Sequence, residues 1–243
     1  RIRTDIPYGN ACRIDVAGRE GVTEVSFAAD AHGGPERLWF CLRAERESND
    51  ANRSVRFVLR HPDSMLAGLN LDAHRPVVRT AERDWERLGA GDVVDFPDGR
   101  KTVAWTVPMP SSWVEIALCY PYGVPEVDAL VRETAGYWRV DEIGVSQSAR
   151  PIRRLSNSYG GDPKKPGVFL LARQHSGETP GSWVLDGLMR RLADRREERV
   201  VVWAVPLTNI DGVEQGDYGK DNFPYDLNHA WGNAPMRHEV LAM

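Results

Sequence analysis

A histidine and a glutamate three positions apart, His175 and Glu178, are the pair in this 243-residue sequence best suited to chemistry. An imidazole nitrogen and a carboxylate oxygen are ligands of catalytic zinc, which takes three protein ligands and keeps a fourth position for water. The spacing alone is weak evidence, because a glutamate is also favourable at a helix N-terminus without any metal. The flanking sequence therefore decides how the pair is interpreted.

The pair lies between a predicted strand and a predicted helix. Residues 167–172 form a continuous apolar run, which is typical of a strand buried on both faces. Apolar residues then recur at helical spacing over 183–192, and residues 200–205 form a second apolar run. This order predicts a βαβ unit. Because ligands bind at the carboxyl ends of strands in such sheets, the position of the pair favours a binding site.

Further polar residues follow the second predicted strand. Asn209, Asp211 and Gly212 come first, and an Asp-Leu-Asn-His sequence ending in Asn228 and His229 comes next. Each group is also compatible with an ordinary turn or polar loop. Their order after the His/Glu pair favours a common site at one edge of the sheet.

The first half of the chain has a different texture. Residues 1–118 contain short apolar or alternating runs separated by turn residues, which predicts an antiparallel β-sandwich. A helix is predicted at 124–135, because Pro125 lies near its start and apolar residues follow at helical spacing. A strand pair is predicted around 138–145 and 151–155. The predicted fold class is α/β, with a β-sandwich domain at 1–118 and an α/β domain at 119–243.

Composition excludes several classes of protein. The formal net charge is -4, so there is no overall basic surface for nucleic acid. No apolar stretch approaches the ~18 residues of a membrane span. Three widely spaced cysteines indicate buried free thiols and a reducing, cytoplasmic compartment. The start at Arg1 and the apolar end at Met243 lead us to expect a truncated chain.

Three segments together resemble the zinc metallocarboxypeptidases, in particular the cytosolic carboxypeptidase branch that includes tubulin deglutamylases. Arg173–Thr179 resembles the first zinc motif of that family, Asn209–Val213 its Asn-Pro-Asp-Gly-Val, and Asp226–His229 its Asp-Leu-Asn-Arg. The front half also resembles the β domain of that branch, in the segments 8–10, 38–40 and 120–122. The resemblance covers nearly the whole chain.

The resemblance implies an activity and a set of roles. His175 and Glu178 would bind Zn²⁺, and the family's third ligand, a histidine, and its glutamate general base are expected beyond Met243. The substrate would be the C-terminus of a peptide or protein, or a branched-glutamate linkage. Asn228, with His229 or Lys220, would hold the substrate's terminal carboxylate.

The sequence departs from the family where cations are expected. His229 follows the asparagine where the family has arginine, and an imidazole is a poorer carboxylate clamp than a guanidinium. Gly219 stands where a second arginine is expected, with Lys220 beside it. Two alternatives stay open: a zinc-dependent N-acyl amino acid deacylase, and a non-catalytic module that binds a peptide or partner.

Overall fold

The computed structural model describes the chain except for residues 20, 35, 47–53, 66–73, 110–111, 135, 159–160 and 221–224. The chain divides into two compact units. Unit 1 comprises Arg1–Tyr120 and Gln215–Tyr218, and unit 2 comprises Pro121–Glu214 and Gly219–Met243. The boundary between two domains at residues 118 and 119 stays a prediction.

Unit 1 is built from two five-stranded sheets over its described residues. Its strands are β1 (Ile2–Arg3), β2 (Cys12–Arg19), β3 (Val22–Ala28), β4 (Cys41–Glu45), β5 (Ser54–Arg60), β6 (Val77–Thr80), β7 (Glu86–Arg87), β8 (Asp92–Asp95), β9 (Lys101–Pro108) and β10 (Trp113–Ala117). The strand orders are β1-β4-β10-β6-β7 and β2-β3-β5-β9-β8. A short 3₁₀ turn lies at Pro62–Ser64.

The core of unit 1 is formed by side chains from both sheets. Phe27, Phe57 and Trp105 belong to one sheet, and Leu42 and Ile116 belong to the other. Burial of the inner faces of two sheets against each other is the defining feature of a sandwich. The predicted β-sandwich is therefore confirmed.

One pair of strands departs from the predicted antiparallel arrangement. β3 and β5 are parallel neighbours, with Val25 opposite Phe57. The two strands are not connected by a hairpin, because β4 of the other sheet lies between them in the sequence. After β4, the chain returns to the sheet that contains β3, and β5 runs in the same direction as β3. Parallel neighbours need a crossover connection of this kind.

Individual strands of unit 1 were predicted with mixed success. The alternating run at Ser54–Arg60 forms β5, with every second residue buried, as predicted. The run at 37–42 was misplaced, because the strand begins only at Cys41 and continues to Glu45. Trp39 and Phe40 are buried although they precede the strand, so their apolar character reflects the core and not strand pairing.

Unit 2 carries one four-stranded sheet among its described residues. The strands are β11 (Arg139–Val145), β12 (Pro151–Ser156), β13 (Gly167–Leu171) and β14 (Val201–Val205), in the order β11-β12-β14-β13. The helices are α1 (Val124–Glu133), α2 (Thr179–Asp194), α3 (Ile210–Gln215) and α4 (His238–Ala242). β13 and β14 are parallel, and the other neighbours are antiparallel. The predicted βαβ unit, the helix near Val124 and the strand pair are confirmed.

The burial predicted for β13 is wrong. Val168 and Phe169 are exposed, because β13 lies at the edge of the four-stranded sheet in the part of the chain that is described. The helix α2 buries Leu185 and Met189 on one face, whereas Trp183 is exposed. The apolar pattern therefore predicted the elements correctly, but it did not predict their neighbours.

Two further expectations concern thiols and membranes. The three cysteines are free, as predicted; Cys41 is buried, whereas Cys12 and Cys119 are half-buried. Burial raises the pKa of the Cys41 thiol. Over the described ranges, every helix is too short or too polar to cross a membrane.

Candidate functional site

The candidate site of unit 2 lies where the parallel strands β13 and β14 end. The two segments that follow these strands stay hydrogen bonded to each other: Ala172 N donates to Val205 O at 3.1 Å, and Asn209 N donates to Arg173 O at 2.9 Å. The segment that carries His175 is thereby fixed against the segment that follows β14. This is the edge at which the parallel pair was expected to carry a site.

Arg173 shapes the loop between β13 and α2 from the inside. It is buried and has a positive φ of 65°. Its guanidinium donates from Nε to Ser176 O at 2.7 Å and from Nη1 to Tyr122 O at 2.7 Å. These bonds satisfy buried carbonyl groups of the backbone. Arg173 therefore supports the loop through these backbone carbonyl groups.

The two predicted metal ligands lie together. Glu178 precedes the first residue of α2, which carries proline in its first turn, and His175 lies in the loop before it. His175 Nδ1 is 2.9 Å from Glu178 Oε1. The imidazole side chain is 13% exposed and the carboxylate 50% exposed, so the pair opens to solvent on the glutamate side.

The other ring nitrogen of His175 is held by a residue whose role the sequence did not reveal. His175 Nε2 is 3.2 Å from Asp226 Oδ1. The same carboxylate oxygen accepts a hydrogen bond from Asn228 N at 2.8 Å. A carboxylate behind a metal-binding histidine fixes the ring orientation and the tautomer, with the proton on the nitrogen that faces the carboxylate. Asp226 therefore directs Nδ1 of His175 toward Glu178.

The charge balance of this cluster favours a cation. The pKa of His175 is raised above 6.5, chiefly by its hydrogen bond with Glu178, while burial acts in the opposite direction and the Asp226 carboxylate adds to the increase. In the protein without metal, the 2.9 Å separation of Nδ1 and Glu178 Oε1 fits a hydrogen bond through a proton on Nδ1. A divalent cation bound by these two donors would replace that proton.

The donors match zinc in type but not yet in number. One imidazole nitrogen and one carboxylate oxygen suit Zn²⁺, which takes three protein ligands in a catalytic site. In the ranges described, no group of three or more His, Cys, Asp or Glu side chains is arranged to hold a metal ion. His238, the last histidine of the sequence, has its Nδ1 3.2 Å from the Ser146 carbonyl oxygen.

Asn228 and His229 lie in a 3₁₀ turn that begins directly after Asp226. The turn spans Leu227–His229 and is anchored by the buried Leu227 side chain. Both polar residues are exposed, and the His229 side chain is 77% exposed. His229 Nε2 is 3.9 Å from Asp226 Oδ2. The structure thus brings the predicted substrate-binding turn and the predicted metal ligands to the same carboxylate.

Lys220, the third predicted substrate-binding residue, is half-buried and follows a tightly packed glycine. Gly219 has a φ of +87°, and a Cβ atom there would lie 2.7 Å from Ser176 N and 3.0 Å from Asn209 Nδ2. The backbone at Gly219 therefore approaches the loop between the two predicted ligands. A side chain at position 219, including the arginine expected from the resemblance, would not fit this approach.

The Asn-x-Asp-Gly segment has a structural role in this chain. Asn209 Oδ1 accepts from Gly212 N at 3.2 Å. Asp211 Oδ1 accepts hydrogen bonds from Ser146 Oγ and from Arg150 Nη1, each at 2.7 Å. These contacts fix the start of α3 against the turn between β11 and β12. They add no further ligand to the cluster around His175.

Comparisons with known proteins relate this chain to the zinc carboxypeptidases. Residues 126–235 match the family model of the zinc carboxypeptidases, peptidase family M14. Cytosolic carboxypeptidase 6 of Mus musculus is 28% identical over 228 residues, which is 84% of this chain and 42% of the relative. The protein of the same name from Homo sapiens is 27% identical over 256 residues, which is 96% of this chain and 50% of the relative.

Solved structures agree in fold. A metallo-carboxypeptidase from Burkholderia cenocepacia has a TM-score of 0.77 and 21% identity, covering 100% of this chain and 65% of its own. A metallo-carboxypeptidase from Pseudomonas aeruginosa has a TM-score of 0.73 and 23% identity, covering 99% and 64%. The chain spans about half the length of the curated relatives it matches. Residues 126–235 therefore resemble the zinc carboxypeptidases, and cytosolic carboxypeptidases are among the relatives of the chain.

Proposed function

We propose that this chain contributes the first part of the active site of a zinc-dependent metallocarboxypeptidase. The observation that carries the proposal is the convergence of His175 Nδ1 and Glu178 Oε1, with Asp226 holding the far side of the imidazole ring. The reaction is hydrolysis of a C-terminal peptide bond or a branched-glutamate linkage. The names of the matched relatives support a carboxypeptidase and a cytoplasmic location.

The roles of the individual residues follow from their chemistry. His175 and Glu178 are two protein ligands of Zn²⁺, and Asp226 holds the imidazole in the tautomer that leaves Nδ1 free to coordinate. When bound, zinc supplies polarisation of the scissile carbonyl and activation of the attacking water. The remaining ligand and the general base come from sequence beyond Met243. The three-ligand requirement and the partial coverage of the relatives support this assignment.

Substrate recognition requires a group that pairs with a carboxylate. Asn228 supplies an amide from the 3₁₀ turn, and His229 or Lys220 supplies the positive charge. His229 Nε2 is 3.9 Å from Asp226 Oδ2, and an exposed pair of this kind contributes little energy. Lys220 directly follows Gly219, whose backbone packs against Ser176, so it is the better candidate for the cation.

Zinc content is the first test of the proposal. The 243-residue chain and a longer polypeptide that continues past Met243 would be purified without chelator and analysed for metal. We expect stoichiometric zinc in the longer polypeptide and weaker binding in the shorter one. His175→Ala should remove zinc from the longer form, whereas His61→Ala, a histidine of unit 1, serves as the matched control. Full zinc occupancy in His175→Ala would contradict the ligand assignment.

Substrate assays separate the alternatives. Release of C-terminal residues from peptides by the zinc-loaded protein would support the carboxypeptidase. Hydrolysis of N-acyl amino acids without peptide cleavage would favour the deacylase. Absence of zinc and of both activities, together with peptide binding, would favour the non-catalytic module.

A further inference from the structure

A short segment, which lies in the sequence between the predicted zinc ligands and Lys220, belongs to unit 1. Gln215–Tyr218 belongs to unit 1, although Glu214 and Gly219 on either side of it belong to unit 2. Lys220 follows two residues after this segment. Two residues span at most about 7 Å, so whatever fixes the segment limits where Lys220 can lie.

The side chain of Asn10 holds the segment through its backbone. Asn10 is 1% exposed, and its Nδ2 donates to Gly216 O at 2.8 Å. Nδ2 also donates to Asp30 O at 3.0 Å, and Oδ1 accepts from Asp30 N at 2.8 Å. The backbone of Asn10 is itself fixed by two hydrogen bonds with Cys41. The Nδ2 group of this buried side chain therefore donates two hydrogen bonds, one of them to Gly216 O, and its Oδ1 accepts a third.

Gly216 packs closely against the backbone of Tyr8 and Gly9, leaving no space for a Cβ atom. It has a φ of +72°, and a Cβ atom there would lie 2.8 Å from Tyr8 O. The carbonyl of Tyr8 is held in turn by Trp39 Nε1 at 2.8 Å. The segment is thus fitted against a rigid part of unit 1, and is not a solvated loop.

His32 forms the second anchor. Its Nδ1 pairs with Oδ1 of Asp217, whose side chain is 5% exposed. The backbone N of His32 donates to Asp30 Oδ1 at 2.9 Å. Asp30 is therefore contacted by both anchors, which joins Asn10 and His32 in one network around two adjacent residues of the segment.

We infer that Asn10 and His32 are positioning residues for Lys220: they anchor Gly216 and Asp217 and so hold the lysine where the substrate carboxylate binds. This inference rests on the proposed function, since it gives Lys220 its role. The carbonyl of Gly216 and the carboxylate of Asp217 are held by side chains more than 180 positions earlier in the sequence. Both anchors therefore act on Lys220 through the backbone that leads from Asp217 to it.

Hydrogen exchange of the folded 243-residue chain tests the anchoring directly. Loss of a hydrogen bond to a charged group lowers local protection by about tenfold or more, and loss of a bond between neutral groups by about fivefold. We therefore expect faster exchange of the 215–219 amides in His32→Ala, which loses the bond to Asp217, and in Asn10→Ala, which loses the bond to Gly216 O. Asp5→Ala, which breaks an exposed ion pair of the same unit, is the control. His32→Asn replaces the ring N–H with an amide N–H and should restore part of the protection. His32 is partly exposed, so its variants remain informative if Asn10→Ala fails to fold.

Coupling and kinetics test the positioning role. His32→Ala and Asp217→Asn should be non-additive in the exchange rates, because both remove the same contact. In the full-length zinc-loaded protein, His32→Ala should raise KM for a C-terminal peptide substrate about tenfold, while kcat and zinc content stay unchanged. Exchange rates equal to those of Asp5→Ala would overturn the anchoring. Faster exchange with an unchanged KM would overturn the role in positioning. A full-length protein that binds no zinc and cleaves no peptide would instead overturn the proposed function, whatever the exchange rates.

Discussion

Replacement of Gly219 by alanine should damage the candidate site more than its size implies. Gly219 lies beside Ser176. Ser176 directly follows His175 and stands two positions before Glu178, so it lies between the two predicted zinc ligands in the sequence. A new Cβ atom would lie 2.7 Å from the backbone nitrogen of Ser176, well inside ordinary van der Waals contact. Because Ser176 is buried and its nitrogen is part of the main chain, the overlap cannot be relieved by a rotamer change alone.

The cost has two parts. A left-handed backbone conformation costs a residue with a Cβ atom about 1–2 kcal/mol. Overpacking of a fitted interior typically adds about 1–3 kcal/mol. We therefore expect Gly219→Ala to lower the free energy of unfolding by about 2–5 kcal/mol. The steric part should also shift the loop that carries His175 and Glu178, and so weaken zinc binding.

A second glycine of unit 2 isolates the steric part. Gly136 has a φ of +74°, but no atom lies within 4 Å of the position of its missing Cβ. Gly136→Ala should therefore cost only about 1–2 kcal/mol and leave zinc affinity unchanged. Urea unfolding and competition with a metal chelator measure the two quantities. Equal losses of stability in the two variants, or unchanged zinc affinity in Gly219→Ala, would refute the reasoning about the close approach.

Three further substitutions test the contacts around the site. Asp226→Asn should weaken zinc binding about 10–100-fold in chelator competition, because the carboxylate behind His175 Nε2 loses its charge; unchanged affinity would contradict its orienting role. Burial alone would raise the pKa of Asp211, but hydrogen bonds outweigh it and lower the pKa below 3.8, so its stabilisation is present above about pH 4 and is lost as the pH falls through the lower value. Asp211→Asn should therefore flatten the decrease in unfolding free energy below pH 4, and an unaltered acid profile would count against this. Glu239→Ala should destabilise by about 3–5 kcal/mol, since it removes the carboxylate that neutralises the buried Arg237, whereas the double change Arg237→Met with Glu239→Leu should cost less; urea unfolding compares the two.

The elements of unit 2 could be predicted because each has a strong local pattern. The apolar run of β14 and the helical spacing of Leu185 and Met189 depend only on residues close in sequence. The exposure of β13 could not be predicted in the same way. An apolar strand is buried only when a neighbour covers it, and the strand order is set by pairings between distant segments. The misplaced start of β4 has a similar cause, since Trp39 and Phe40 are buried without strand pairing.

The candidate site was predictable to the extent that its residues are close in sequence. His175 and Glu178 are three positions apart, and a strand end followed by a helix start brings them together. Asp226 is 51 positions from His175, so its contact with Nε2 depends on the tertiary fold. One signal was available: Asp226 begins the Asp-Leu-Asn segment, and an acidic residue near a predicted metal-binding histidine is a candidate partner. The anchoring of Gly216 by Asn10 had no comparable signal, because it joins residues 206 positions apart.

The missing arginines of the family pattern have a physical consequence for the source of positive charge. Position 219 cannot hold any side chain while the backbone keeps its approach to Ser176, so a cation cannot be restored there by substitution alone. The His229 side chain is 77% exposed, so solvent weakens any ion pair that it forms with a carboxylate. Lys220 is adjacent to the closely packed Gly219. The close packing that excludes a side chain at position 219 therefore also restricts the path of the chain into Lys220, which makes this lysine the cation whose loss should affect KM most.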